Sequence, residues 1–177
     1  MICFGRQRRA YRAAVDTLAP LVAHTRARLP ALPDGFFLEP YAVGHLGLLI
    51  ALVATRAVGP LGSDRLASVQ TRAWRRLSAV EDDLIGSDII GLSLSSHPAF
   101  SAGCADAVSV FEALTGTSVD PLLSAGGDWV RIVAQVAEAG PAGGGADALA
   151  DALAVWEATF EAAAETHLAA CRVGGGR

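Results

Sequence analysis

Three aspartates, Asp82, Asp83 and Asp88, lie within seven residues in the stretch EDDLIGSD at 81–88. Carboxylates at that density can hold a hard divalent cation such as magnesium, provided they converge on one point. A regular helix keeps them apart: at ~100° per residue Asp83 and Asp88 stand ~140° from one another, and Asp88 lines up with Glu81 instead. Ile85, Ile89 and Leu92 form an apolar stripe through the same segment. The preferred reading places Glu81, Asp82 and Asp83 in the first turn of a helix, where the helix dipole favours negative charge by ~0.3–1 kcal/mol each. A magnesium-dependent enzyme using Asp82, Asp83 and Asp88 as metal ligands stands as an alternative.

Asp82-Asp83 followed by Asp88 reads DDxxxxD. It resembles the long-spacer form of the first aspartate-rich motif of isoprenyl diphosphate synthases, which are all-helical enzymes. The resemblance implies magnesium ions on these aspartates holding a diphosphate. It covers seven residues. The chain has no second aspartate-rich motif and no lysine, and that family uses both.

Other reactive residue types point to packing. His97 and Cys104 are seven residues apart, ~10.5 Å along one helix, so they cannot form a dyad. Cys104 shares a helical seam with Phe100 and Phe111 and is expected to be a small buried hydrophobe. His45 and His167 fall on mostly apolar faces, where a histidine needs a hydrogen-bond partner or a ligand. No HxxxH, HExxH or GxxxxGK spacing occurs, so no cofactor is expected. Arg72, Arg75 and Arg76 flank Trp74, but Leu66, Val69, Ala73, Leu77 and Val80 make that helix amphipathic. Its arginines are expected to be a solvated face, not a nucleic-acid surface, with Trp74 just off the seam. A carrier or sensor of a small apolar ligand would open its pocket near His45, Trp74 or Phe111. In the last helix Glu157, Glu161 and Glu165 repeat every four residues. Like charges at that spacing cost ~0.2–0.5 kcal/mol per pair, so a basic partner is expected, most simply the arginine-rich first helix.

The elements that must position these groups are all helical. Tyr11, Val15, Leu18, Val22, Thr25 and Leu29 step by three and four. So do Phe100, Cys104, Ala107, Phe111 and Leu114, and Leu149, Leu153, Trp156, Phe160, Ala163, His167 and Ala170. That is helical periodicity, not the alternation of a strand. Glu39-Pro40 and Gly59-Pro60 bracket a second helix that is apolar on every face from Tyr41 to Thr55. At that length, with His45 inside it, the run falls short of a membrane span and a central core helix is expected. Ser63 is expected to cap a helix to about Val80, Ser96-His97-Pro98 to open one closing near Gly116, and Asp120-Pro121 to open the next, with Gly126-Gly127 breaking it. Gly140-Pro141 ends that segment, PAGGG is a linker, and a long helix follows from Ala146 to Arg172. Pro20 is expected to kink the first helix or split it.

Composition sets the frame. With 52% hydrophobic and 18% charged residues the chain is folded rather than disordered. Its 177 residues suit one domain over 1–173 with a frayed tail at 174–177. All fourteen basic residues are arginine, a bias expected of a GC-rich bacterium, and the net charge of −4 gives no global field for nucleic acid. Residues 1–30 carry Arg6, Arg8, Arg9, Arg12, Arg26 and Arg28 against Asp16. Cys3, Cys104 and Cys171 are too scattered for a disulfide framework, and the N-terminus lacks the continuous apolar run of a signal peptide, so a cytoplasmic location is expected. The fold expectation is all-α: a compact antiparallel bundle of six to seven helices around a central apolar helix at about 40–58. The functional expectation is binding, through self-association as a homodimer or through another protein.

Overall fold

The computed structural model describes residues 3–81, 85–120, 129–139 and 146–174. Every regular element among them is helical: α1 (Cys3–Arg28), a 3-10 turn (Asp34–Leu38), α2 (Pro40–Val58), α3 (Ser63–Ser78), α4 (Ile85–Leu94), α5 (Pro98–Thr115), α6 (Trp129–Glu138), and α7 (Ala146–Trp156), which continues through a π-turn (Glu157–Glu161) into α8 (Ala162–Gly174). Asp82 and Asp83, the Asp120-Pro121 helix start, the Gly126-Gly127 break and the PAGGG linker lie in whole or in part outside the described residues.

Proline and glycine punctuate these helices as their backbone chemistry requires. Pro40 and Pro98 occupy first-turn positions after extended Glu39 and His97, where a missing N–H costs nothing. Gly59 (φ 76°) and Gly116 (φ 64°) end α2 and α5, and their N–H groups return to the Thr55 and Glu112 carbonyls. Of the two outcomes expected at Pro20, the split does not occur: α1 runs through it as one helix. One local expectation is corrected. Gly62, in extended geometry, is the cap of α3, and Ser63 is already inside that helix with no capping bond.

α2 is the axis of the bundle. Its residues 42–56 are buried without interruption, and it packs against α1, α3, α4, α5, α6 and the 3-10 turn. A helix surrounded in this way must be apolar on all sides, which is what its composition provides. α2 is also the helix among the described residues that is long and apolar enough to cross a membrane; here that apolar surface is covered by the other helices. α5 lies antiparallel against it at backbone contact. A Cβ on Gly103 would sit 2.1 Å from the Tyr41 carbonyl oxygen, and one on Gly44 would sit 2.3 Å from that of Phe100. The Tyr41 hydroxyl donates to Asp106 Oδ2 at 2.7 Å along the same seam. Arg6, from the start of α1, donates to the Val58 and Pro60 carbonyls at 2.6 and 3.0 Å and so caps the end of α2.

The predicted seam of α5 is buried throughout: Phe100, Cys104, Ala107, Phe111 and Leu114. Trp74, just off the predicted seam of α3, is 1% exposed in the core. The last helix departs most. Ala152, Trp156, Phe160, Glu161 and Ala164 are its buried residues, whereas Leu149 is 43% exposed. Steps of four drift ~40° around an α-helix, and the wider π-turn takes up that drift. The inserted residue rotates Glu161 off the solvated ridge and into the interior beside Phe160.

Candidate functional site

α2, α3, α4, α5 and α6 enclose an open cleft of about 510 Å³, a volume in the range of small-molecule sites. Val43, Ala51, Phe100 and Cys104 form its floor, and Leu66, Ile89, Trp129 and Val133 its walls. At its rim Ile90, Leu94 and Val130 are 62%, 83% and 82% exposed. The lining carries few polar groups. Gln70 is already committed, donating to the Gly47 carbonyl at 3.0 Å. Thr55 is not. It is 1% exposed, and its hydroxyl makes no hydrogen bond among the described residues. Helical Thr115, Thr159 and Thr166 each bond the carbonyl four residues back, so an unused hydroxyl at Thr55 is a local exception facing an apolar hollow. The Cys104 Sγ approaches the Gly44 carbonyl at 3.5 Å, and burial pushes its thiol pKa far up, so it contributes bulk and not a nucleophile.

The residues singled out from sequence for ligand binding lie elsewhere. His45, Trp74 and Phe111 are 0%, 1% and 0% exposed, and none of them lines the cleft. His45 stands among the rings of Tyr41, Trp156 and Phe160, with centroids 5.8, 5.2 and 5.1 Å away. Neither ring nitrogen has a hydrogen-bond partner among the described residues, and desolvation pushes its pKa down to about 3, so it is neutral. The Trp74 indole N–H is unpartnered in the same way. His97 caps the start of α5 through its backbone, where its carbonyl accepts from the Ser101 N–H at 3.0 Å. Asp88 is exposed on α4, and Asp82 and Asp83 fall outside the described residues, so the three carboxylates form no described cluster.

A second polar constellation joins α1 to the π-turn, the two elements running parallel. Thr25 Oγ1 lies 2.8 Å from Glu161 Oε1 and accepts from the Trp156 Nε1–H at 2.8 Å. Arg28 pairs with Glu161 Oε2 at 3.1 Å and Glu165 Oε1 at 2.6 Å. His24 Nε2 is 2.9 Å from Glu157 Oε1 and 3.9 Å from Glu161 Oε1. The glutamate ridge therefore meets α1, through His24 and Arg28. The other N-terminal arginines do different work: Arg26 pairs with Asp34 at 3.2 Å, and Arg8, Arg12 and Arg72 line a furrow with Tyr11, over whose ring Arg72 stacks at 4.9 Å. His167 Nε2 lies 3.5 Å from the exposed Cys171 Sγ.

Sequence reasoning did not single out Thr55 or His24. Thr55 is one of the few polar residues of an otherwise apolar helix, the same signal that marked His45. His24 becomes conspicuous only once α1 is set against the glutamates. Compared with known proteins, the chain matches no family model, no curated sequence and no solved structure.

Proposed function

We propose that this protein binds a small, largely apolar ligand in the cleft between α2 and α6, as a carrier or sensor. The observation that carries this reading is the unpartnered Thr55 hydroxyl inside an apolar hollow of about 510 Å³. A buried polar atom without a partner is destabilising by ~1–3 kcal/mol, and a ligand hydroxyl or carbonyl would satisfy it. The walls supply affinity through burial of apolar surface, at roughly 25 cal/mol per Å² removed from water, and Thr55 supplies orientation. A panel of medium-chain alcohols, fatty acids and aromatic compounds tests the reading by thermal shift: selective stabilisation by a subset supports it, and a flat response across the panel counts against it.

A second reading is association through the same face, as a homodimer or with another protein. It is favoured by the exposure of Ile90, Leu94 and Val130 at one rim, since exposed apolar patches mark contact sites. Light scattering separates the two: a concentration-dependent dimer lost on Leu94→Glu supports association.

A further inference from the structure

We propose that His24, Glu157 and Glu161 form a binding site for a divalent transition-metal ion, of the zinc and cobalt(II) class, at the junction of α1 and the π-turn. The three residues can each offer a donor atom, and these atoms lie within 4.8 Å of one another. Metal–ligand bonds of about 2.1 Å separate neighbouring ligands by about 3.0–3.4 Å, so side-chain adjustments of an ångström or less close the set around an ion. An imidazole in the donor set selects for zinc-like ions over magnesium or calcium.

Two features distinguish this cluster from a surface ion pair. First, His24 Nε2 is a buried atom with no hydrogen-bond partner among the described residues, although Glu157 Oε1 stands 2.9 Å away. The carboxylate approaches off the hydrogen-bond direction, which suits two lone pairs directed at a shared cation. Second, Glu161 is fully buried, and among the described residues its Oε2 accepts no hydrogen bond even with Arg28 at 3.1 Å. A carboxylate held in the interior needs more compensation than that contact gives. Charge points the same way: Glu157, Glu161 and Glu165 are three carboxylates around the Arg28 guanidinium, an excess of negative charge that a divalent cation offsets.

The surroundings are built for a ligand set. Arg28 engages the far oxygen of Glu161, leaving Oε1 towards His24. The Thr25 hydroxyl fixes that oxygen and is itself fixed by the Trp156 indole, an outer shell of the kind that orients metal ligands. The His24 and Glu157 side chains are 37% and 39% exposed, so an ion can enter and water completes its coordination. The ion would pin α1 to the π-turn. This inference is independent of the apolar cleft, which lies on other helices.

The test is cobalt(II) titration of chelator-treated full-length protein, followed by visible absorption and by displacement with zinc. The expected result is one ion per chain, with affinity weakened about tenfold or more by His24→Ala and by the isosteric Glu157→Gln, and unchanged by Cys171→Ser. Circular dichroism of both variants confirms that they fold. Absence of cobalt binding to the wild-type chain, binding undiminished in both variants, or binding abolished by Cys171→Ser would each overturn the assignment.

Discussion

Thr25 and Glu161, 136 residues apart, meet in the interior through a 2.8 Å contact between hydroxyl and carboxylate. The single hydroxyl proton goes to Glu161, since a charged acceptor at short range outweighs the Leu21 carbonyl at 3.3 Å. The same oxygen accepts from Trp156, so one small side chain satisfies two buried groups on another helix. Thr25→Val keeps the shape and removes both bonds. It should cost about 1–3 kcal/mol by chemical denaturation, because a buried carboxylate and an indole N–H each lose a partner.

His45 should make the protein acid-sensitive. Its ring is neutral in the fold, with a pKa pushed down to about 3 from an ordinary 6.5. Between those values the unfolded chain takes up a proton that the folded chain refuses. Stability from this group therefore falls as pH drops from about 6.5 towards 3, by at most about 1.4 kcal/mol per pH unit, and is flat above 6.5. His45→Leu should reduce that slope in urea denaturation series and should raise stability at pH 7, since it replaces an unpartnered polar ring with an apolar side chain.

Gly103 sets the separation of α2 and α5. Gly103→Ala places a methyl carbon 2.1 Å from the Tyr41 carbonyl oxygen, where backbone must move. Overpacking of this kind costs about 1–3 kcal/mol or more. The check is the shift in denaturation midpoint, and an unchanged midpoint would mean that the two helices separate freely.

Cys104 and Cys171 should differ sharply in reactivity. Cys104 is 1% exposed with its pKa raised by burial, whereas Cys171 is exposed. Iodoacetamide applied to the native protein should alkylate Cys171 and leave Cys104 intact until denaturant is added, as read by peptide mass spectrometry.

The helices were legible because local chemistry sets them: Pro40 and Pro98 at helix starts, Gly59 and Gly116 at ends, and the all-apolar face of α2 as the axis. The site was not, for reasons that are equally physical. A cleft bounded by five helices exists only after they are assembled, so Thr55 carried no spacing signal. Glu161 read as one rung of a solvated ridge because helical periodicity assumes 3.6 residues per turn, and the π-turn breaks that assumption at that point. Trp74 sits just off the apolar seam of α3, and its burial follows from α1 and α2 both packing against that helix. The glutamate spacing points to a basic partner in the arginine-rich α1, and Arg28 is one; His24 joins it with no spacing signal of its own.

Trp129 emission tests the central claim most directly, since Trp129 lines the cleft while Trp74 and Trp156 are buried in the core. The full-length protein is titrated with 1-decanol, whose chain suits the walls and whose hydroxyl can pair with Thr55. The account predicts a saturable change in emission that is absent in Trp129→Phe, weakened in Thr55→Val, and lost when Val133→Phe fills the cleft. A flat titration, or one that Val133→Phe leaves intact, would contradict it.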